Sequence, residues 1–140
     1  MIKFLSNDKY ENLIKLAHLV RKKAYAPYSK FYVGTAILAE NGKIFLGCNV
    51  ENAAYGETIC AERVAVTKAI SEGVKNFLAI AVATNTTKDG WPCGSCRQVL
   101  FEFSPNIIVL ASGVNGKMQI KNLKELFPFS FGTINLGSVK

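Results

Sequence analysis

What this 140-residue sequence lacks narrows its class before any motif is read. No apolar run approaches the roughly 20 residues needed to cross a bilayer, and Met1 to Ser6 lack the apolar core of a secretion signal, so the expected location is the cytoplasm. Charged residues make up only 19% against 49% hydrophobic, which excludes a disordered chain. There is no internal repeat, low-complexity segment or linker, and residues 1–140 are read as a single domain. Acidic residues are few, 10 against 17 Lys and Arg, for a net charge of +7. The lysines are scattered and the longest basic run is Arg21-Lys22-Lys23, so the charge reads as a solvated surface and not as a nucleic-acid footprint. The one histidine, His18, lies far from every cysteine and is read as a packing or surface residue.

Four cysteines are present, and their spacing is the informative part. Thr58-Ile59-Cys60-Ala61-Glu62 and Pro92-Cys93-Gly94-Ser95-Cys96 offer three thiols and a carboxylate from two short segments. In an intracellular chain a Cys-x-x-Cys cluster favours metal or redox chemistry over disulfides. A structural zinc is closed by four protein ligands, whereas a catalytic one keeps three and leaves the fourth position to water. Cys60 and Cys93 each fall where a loop gives way to a helix, whose free N–H groups favour a thiolate, and Cys96 follows one turn later on the same face. Glu62 is better placed beside the metal than on it, where a carboxylate can take and return protons. Three thiolates on a dication leave an excess of negative charge. Arg63 and Arg97, which follow Glu62 and Cys96, are expected to bond to a coordinated sulfur and withdraw part of it.

Two other readings compete. In a zinc-ribbon-like nucleic-acid-binding module, Cys48 would close a four-thiolate structural site. Its place at a strand end instead suggests a small buried thiol. A redox Cys-x-x-Cys protein would give Cys60 and Glu62 no role.

Along the chain, Tyr10, Leu13, Ile14, Ala17, Val20 and Ala24 mark an amphipathic helix over about Asp8–Ala24, stopped by Ala26-Pro27. Tyr32–Ala39 and Lys43–Cys48 read as strands joined through Glu40-Asn41-Gly42, a hairpin signal. The polar stretch Gly47 to Gly56 carries Asn49 and Glu51, suited to binding sugar hydroxyls; local backbone hydrogen bonds are the alternative use. A helix over Cys60–Glu72, a strand over Phe77–Thr84, a helix over Cys93–Phe103 and a strand over Ile107–Ala111 follow. This alternation predicts parallel pairs with ligands at the strands' C-terminal ends. Met118–Ile120 is a candidate last strand and Leu123–Leu126 a short helix. Phe127, Phe129 and Phe131 in the tail suggest contact with another subunit.

With Gly47-Cys48-Asn49-Val50-Glu51-Asn52-Ala53 ahead of them, the two cysteine motifs closely resemble those of the small homotetrameric cytidine deaminases, over about Tyr28 to Phe131. The signature shared by zinc deaminases at large, a His or Cys two residues before a Glu and a later Pro-Cys-x-x-Cys, is met by Cys60, Glu62 and Pro92 to Cys96. The resemblance implies an α/β fold: a three-layer α-β-α sandwich around a mixed, mostly five-stranded sheet. It further implies one zinc per chain held by Cys60, Cys93 and Cys96, with Glu62 moving protons during hydrolysis of cytidine and deoxycytidine. Asn49 and Glu51 would bind the ribose 3′-hydroxyl, Phe31 would line the pyrimidine pocket, and Ala61 would also contact substrate. Ala53, Tyr55 and Phe131 would reach into a neighbouring subunit's site in a homotetramer. Cysteine at position 60, where nucleic-acid deaminases mostly carry histidine, favours a free nucleoside. A deaminase of another cytosine compound, such as blasticidin S, shares the motif set. Glu57 and Trp91 depart from the family pattern at the pocket rim.

Overall fold

The structure, a computed structural model, describes residues 4–137. Helix α1 (Asn7–Arg21) forms because Tyr10, Leu13, Ile14 and Ala17 fall on one buried face. It ends before the expected Ala24, and Lys22, Lys23 and Ala24 close in tight turns onto Leu19, Val20 and Arg21 carbonyls. Strand β1 (Val33–Ala39) is buried along its whole length, and β2 (Ile44–Cys48) returns beside it through a hairpin in which Gly42 takes the left-handed conformation at φ 85°. The remaining elements are α2 (Ala61–Ser71), β3 (Phe77–Thr84), α3 (Gly94–Phe103), β4 (Ile108–Ser112), β5 (Met118–Asn122) and α4 (Leu123–Leu126). Single 3-10 turns lie at Tyr55–Glu57 and Thr133–Leu136.

The five strands form one mixed sheet in the order β2-β1-β3-β4-β5. The expectation of parallel pairs holds for one adjacent pair, β3 with β4; β1 is antiparallel to both β2 and β3, and β5 is antiparallel to β4. The reason is the hairpin. It seats β1 against β2, and the crossover through α2 then brings β3 to the far side of β1. Strands β2 and β3 therefore run the same way without touching, and both end at the edge where β1 begins.

Side-chain alternation sorts the core into two layers. Ala36, Leu38, Ala79, Ala81 and Ala83 face α1, while Val33, Ile37, Ile80, Val82 and Val109 face the layer of α2, α3 and α4. Fully burying an aliphatic chain such as Ile37 or Ile80 contributes about 1.5–3 kcal/mol each. The helices sit unusually close at two glycines. A Cβ on Gly34 would stand 2.0 Å from the Ala17 carbonyl of α1, and one on Gly47 would stand 2.3 Å from the Ala61 carbonyl of α2. The three-layer α-β-α sandwich expected from the sequence is the one found. Among the described residues, no helix is long and apolar enough to cross a membrane.

Candidate active site

Two helix starts bring the sulfurs together. Cys60 is the residue before the first turn of α2 and Cys93 the one before the first turn of α3, both in extended conformation. Cys96 lies one turn into α3 and is fully buried. All three Sγ atoms lie within 4.8 Å of one another, and Cys60 and Cys93 are 3.9 Å apart. Tetrahedral ligation at about 2.3 Å from zinc requires sulfurs about 3.8 Å apart, so this donor set fits the ion. The three thiols also fit by chemistry, since soft thiolates suit zinc and three of them leave a position open. Cys48, half-buried at the end of β2 and paired with Gly34, stands outside the cluster, which removes the fourth thiolate the zinc-ribbon reading needed.

The thiols divide their protons unevenly. A hydrogen bond from Cys96, then one from Cys93 and the charge of Arg63, lower the Cys60 pKa to about 6 against the opposing effect of burial. Cys96 is pushed up, first because it gives that hydrogen bond and then because it is buried. Glu62, the second residue of α2, is only 5% exposed. Burial raises its pKa to about 7, and the negative charge of Cys60 adds to the shift; its own backbone N–H, Cys96 and Arg63 oppose it.

The two arginines do different things. Arg63 donates from Nη1 to Ser95 Oγ at 3.3 Å and not to the sulfur expected for it, linking α2 to the turn between Cys93 and Cys96, and its charge acts on Cys60. Arg97 does not take the sulfur contact that the sequence suggests for it. It donates from Nε to the Pro92 carbonyl at 2.7 Å and from Nη1 to the Leu126 carbonyl at 2.9 Å. Leu126 ends α4, where carbonyls have no partner within the helix, and Pro92 directly precedes Cys93. Arg97 therefore holds the backbone that presents Cys93.

Beside the sulfurs opens a cavity of about 260 Å³, walled by Phe31, Val33, Asn49, Glu51, Glu62 and Trp91 among others. Ala61, fully buried, also lines it. Asn49 clips the start of β1: its Oδ1 accepts from Val33 N at 2.8 Å and its Nδ2 donates to the Phe31 carbonyl at 2.8 Å. Glu51 accepts from Tyr28 N at 2.9 Å, from Ser29 N at 3.2 Å and from the Ser29 hydroxyl. The Ser29 hydroxyl is the main reason its pKa lies below the ordinary carboxylate value. Local backbone bonding by these two side chains, the alternative use to binding, is thus present in the pocket wall itself. Each keeps unused hydrogen-bonding capacity.

Ser29 is a contributor that the sequence does not single out, since it reads only as part of the stop after the first helix. The available signal is Pro27, which breaks the chain into a turn whose N–H groups need an acceptor. Trp91 lines the cavity, whereas Glu57 is exposed in its 3-10 turn and does not. Ala53, Tyr55 and Phe131 are exposed and form no part of this cavity wall. Tyr55 is 75% exposed, with its ring edge-on to Tyr28 at 5.8 Å, and Phe131 is 56% exposed, with its carbonyl held by Gln98 Nε2 at 3.0 Å.

Residues 7–112 match the cytidine and deoxycytidylate deaminase zinc-binding region. The chain is 45% identical over 127 residues to the cytidine deaminase of Sporosarcina psychrophila, covering 90% of this chain and 93% of that protein. It is 46% identical over 120 residues to that of Halalkalibacterium halodurans, covering 85% and 91%. The crystal structure of cytidine deaminase from Burkholderia pseudomallei superposes with a TM-score of 0.84 at 42% identity, covering 91% of this chain and all of that one. A three-thiolate cluster with a buried glutamate, on this sheet and at these identities, places the chain in the cytidine deaminase family.

Proposed function

We propose that this chain hydrolyses cytidine and deoxycytidine to uridine and deoxyuridine with release of ammonia, serving pyrimidine salvage in the cytoplasm. The observation that carries the reading is the placing of three sulfurs within 4.8 Å of one another beside buried Glu62, in the wall of a cavity of about 260 Å³. Cys60, Cys93 and Cys96 would hold one zinc per chain, which when bound supplies the Lewis acidity that lets water lose a proton near neutral pH.

Glu62 then does the proton work. It takes a proton from the attacking water and passes it to ring N3 as the water oxygen adds to C4. It next moves the remaining hydroxyl proton to the exocyclic amine. The C4–N bond breaks, ammonia leaves and the carbonyl of uridine forms, so one water is consumed for each amine released. A carboxyl held by burial between its two protonation states is suited to both transfers.

Asn49 and Glu51 bind the ribose 3′-hydroxyl with the capacity left over from their backbone bonds, and Phe31 packs against the pyrimidine. Ala53, Tyr55 and Phe131 complete the site of a neighbouring subunit in a homotetramer. Their exposure outside the chain's own cavity supports this, as do the exposed side chains of Phe129, Ile134 and Leu136. Nucleic acid is not the substrate in this reading.

The test is ammonia release with zinc quantification on the purified chain. One zinc per chain is expected, with turnover of cytidine and deoxycytidine above that of blasticidin S. Zinc without turnover of either nucleoside would overturn the substrate, and loss of zinc in Cys48→Ser would overturn the three-sulfur site.

A further inference from the structure

One wall of the cavity has no role in the proposed reaction. Trp91, the single tryptophan of the chain, stands there with Glu62, Cys60 and Cys93, half-buried and packed against the core layer that α2 and α3 cover. Both of its flanks are pinned. Before it, Gly90 lies so close to the end of β3 that a Cβ would stand 2.0 Å from Thr84 Cγ2, and Thr84 Oγ1 donates to the Lys88 carbonyl at 3.2 Å. After it, Arg97 Nε donates to the Pro92 carbonyl at 2.7 Å. Trp91 is therefore fixed between a central strand and the start of α3, and cannot draw back as a free loop residue would.

The proposed reaction turns the base toward this wall. In a pyrimidine, C4 is flanked by N3 on one side and C5 on the other. C4 must lie at the three sulfurs, between the start of α2 and the start of α3, and N3 must face Glu62 on α2. The C5 edge is then directed away from α2, to the approach of α3 that carries Trp91. Space there is limited. At about 260 Å³ the cavity falls below the roughly 300–1,000 Å³ common for ligand pockets, which leaves little room for an added substituent.

We infer that Trp91 is a specificity-determining residue: it closes the cavity against the C5 edge of the base, so that cytosine nucleosides bare at C5 are accepted and those with a methyl group there are rejected. This rests on the proposed deamination for the direction in which the base enters. The physical basis is overpacking, since a methyl pressed against a wall pinned at both ends displaces backbone and not just a side-chain tip. A phenyl ring keeps the apolar character over a shorter reach, so Trp91→Phe opens the wall without exposing the core beside it.

The test compares cytidine with 5-methylcytidine in the natural chain and in Trp91→Phe. In the natural chain kcat/KM for 5-methylcytidine should lie about tenfold or more below that for cytidine, and in Trp91→Phe the two should come within about threefold. The ratio of deoxycytidine to cytidine should stay as it is, because the sugar lies at the Asn49 and Glu51 end of the cavity. A change of the same size in that ratio would mean a loosened fold and overturn the inference. An unchanged 5-methyl ratio would overturn it too; should Trp91→Phe fail to fold, Trp91→Leu carries the same expectation. Binding is read without turnover by calorimetry, with deoxyuridine and its 5-methyl counterpart thymidine. Thymidine should bind the natural chain about tenfold more weakly, and the gap should narrow in Trp91→Phe. Equal affinities in the natural chain would sink the wall whether or not cytidine is turned over. The emission of Trp91, the chain's only indole, should shift as deoxyuridine fills the cavity, and an unmoved emission would place the side chain away from the base and overturn the inference. No turnover of cytidine by the natural chain, with the thymidine gap present and narrowed by the substitution, would reject the deaminase reading and leave the wall standing.

Discussion

In the proposed reaction, Glu62 is the residue on which the chemistry turns. Glu62→Gln keeps the shape and the buried site but cannot exchange protons, so ammonia release should fall by about 10²–10⁴-fold while zinc content and fold remain; an assay of both on one preparation decides it. Glu51 gives a prediction of a different kind. Its folded pKa is depressed, chiefly by the Ser29 hydroxyl, so its contribution to stability is present above its ordinary value and is lost as pH falls through the lower, folded one. The difference in melting temperature between the natural chain and Glu51→Gln should therefore be widest at neutral pH and close in acid, and Ser29→Ala should shift that closing upward in pH. At this scale much of the site is legible in the sequence, because three cysteines and a glutamate at fixed spacing express the preferences of zinc and of proton transfer. Arg97 is not. Its neighbourhood in the chain suggests a sulfur, but the carbonyl at the end of α4, 29 residues on, is what claims it.

At the scale of elements, the site depends on how closely α2 lies on β2. Gly47→Ala would put a methyl 2.3 Å from the Ala61 carbonyl, backbone against backbone, so neither side can yield by changing rotamer. A loss of roughly 1–3 kcal/mol is expected, together with weaker zinc retention, because Cys60 is fixed to the start of the displaced helix. Thermal unfolding and chelator competition on the same variant measure the two effects. Most elements can be read from hydrophobic period and turn residues, and α4 begins where expected because Asn122 and Glu125 cap its start reciprocally. Strand order cannot. Periodicity says which face of a strand is buried but not which neighbour it takes, and an unbroken apolar run such as Phe77–Thr84 suits a central strand of either direction.

For the whole molecule, the apolar tail makes association measurable. Phe129 is fully exposed and Ile134 is 90% exposed, so light scattering should report a multimer, and Ile134→Asp should lower its mass and its activity together if neighbouring subunits complete each other's sites. The sheet order has a consequence for the timing of assembly. Because β1 starts where β2 and β3 finish, the cavity takes its walls from segments as far apart as Ser29 and Cys93, through pairings that are mostly non-local. A growing chain that has released only β1, β2 and α2 owns one of the three site sulfurs and the glutamate. The three sulfurs can therefore meet only after α3 has docked beside α2, which makes the complete metal site a late stitch that locks a finished scaffold and not a seed around which it grows.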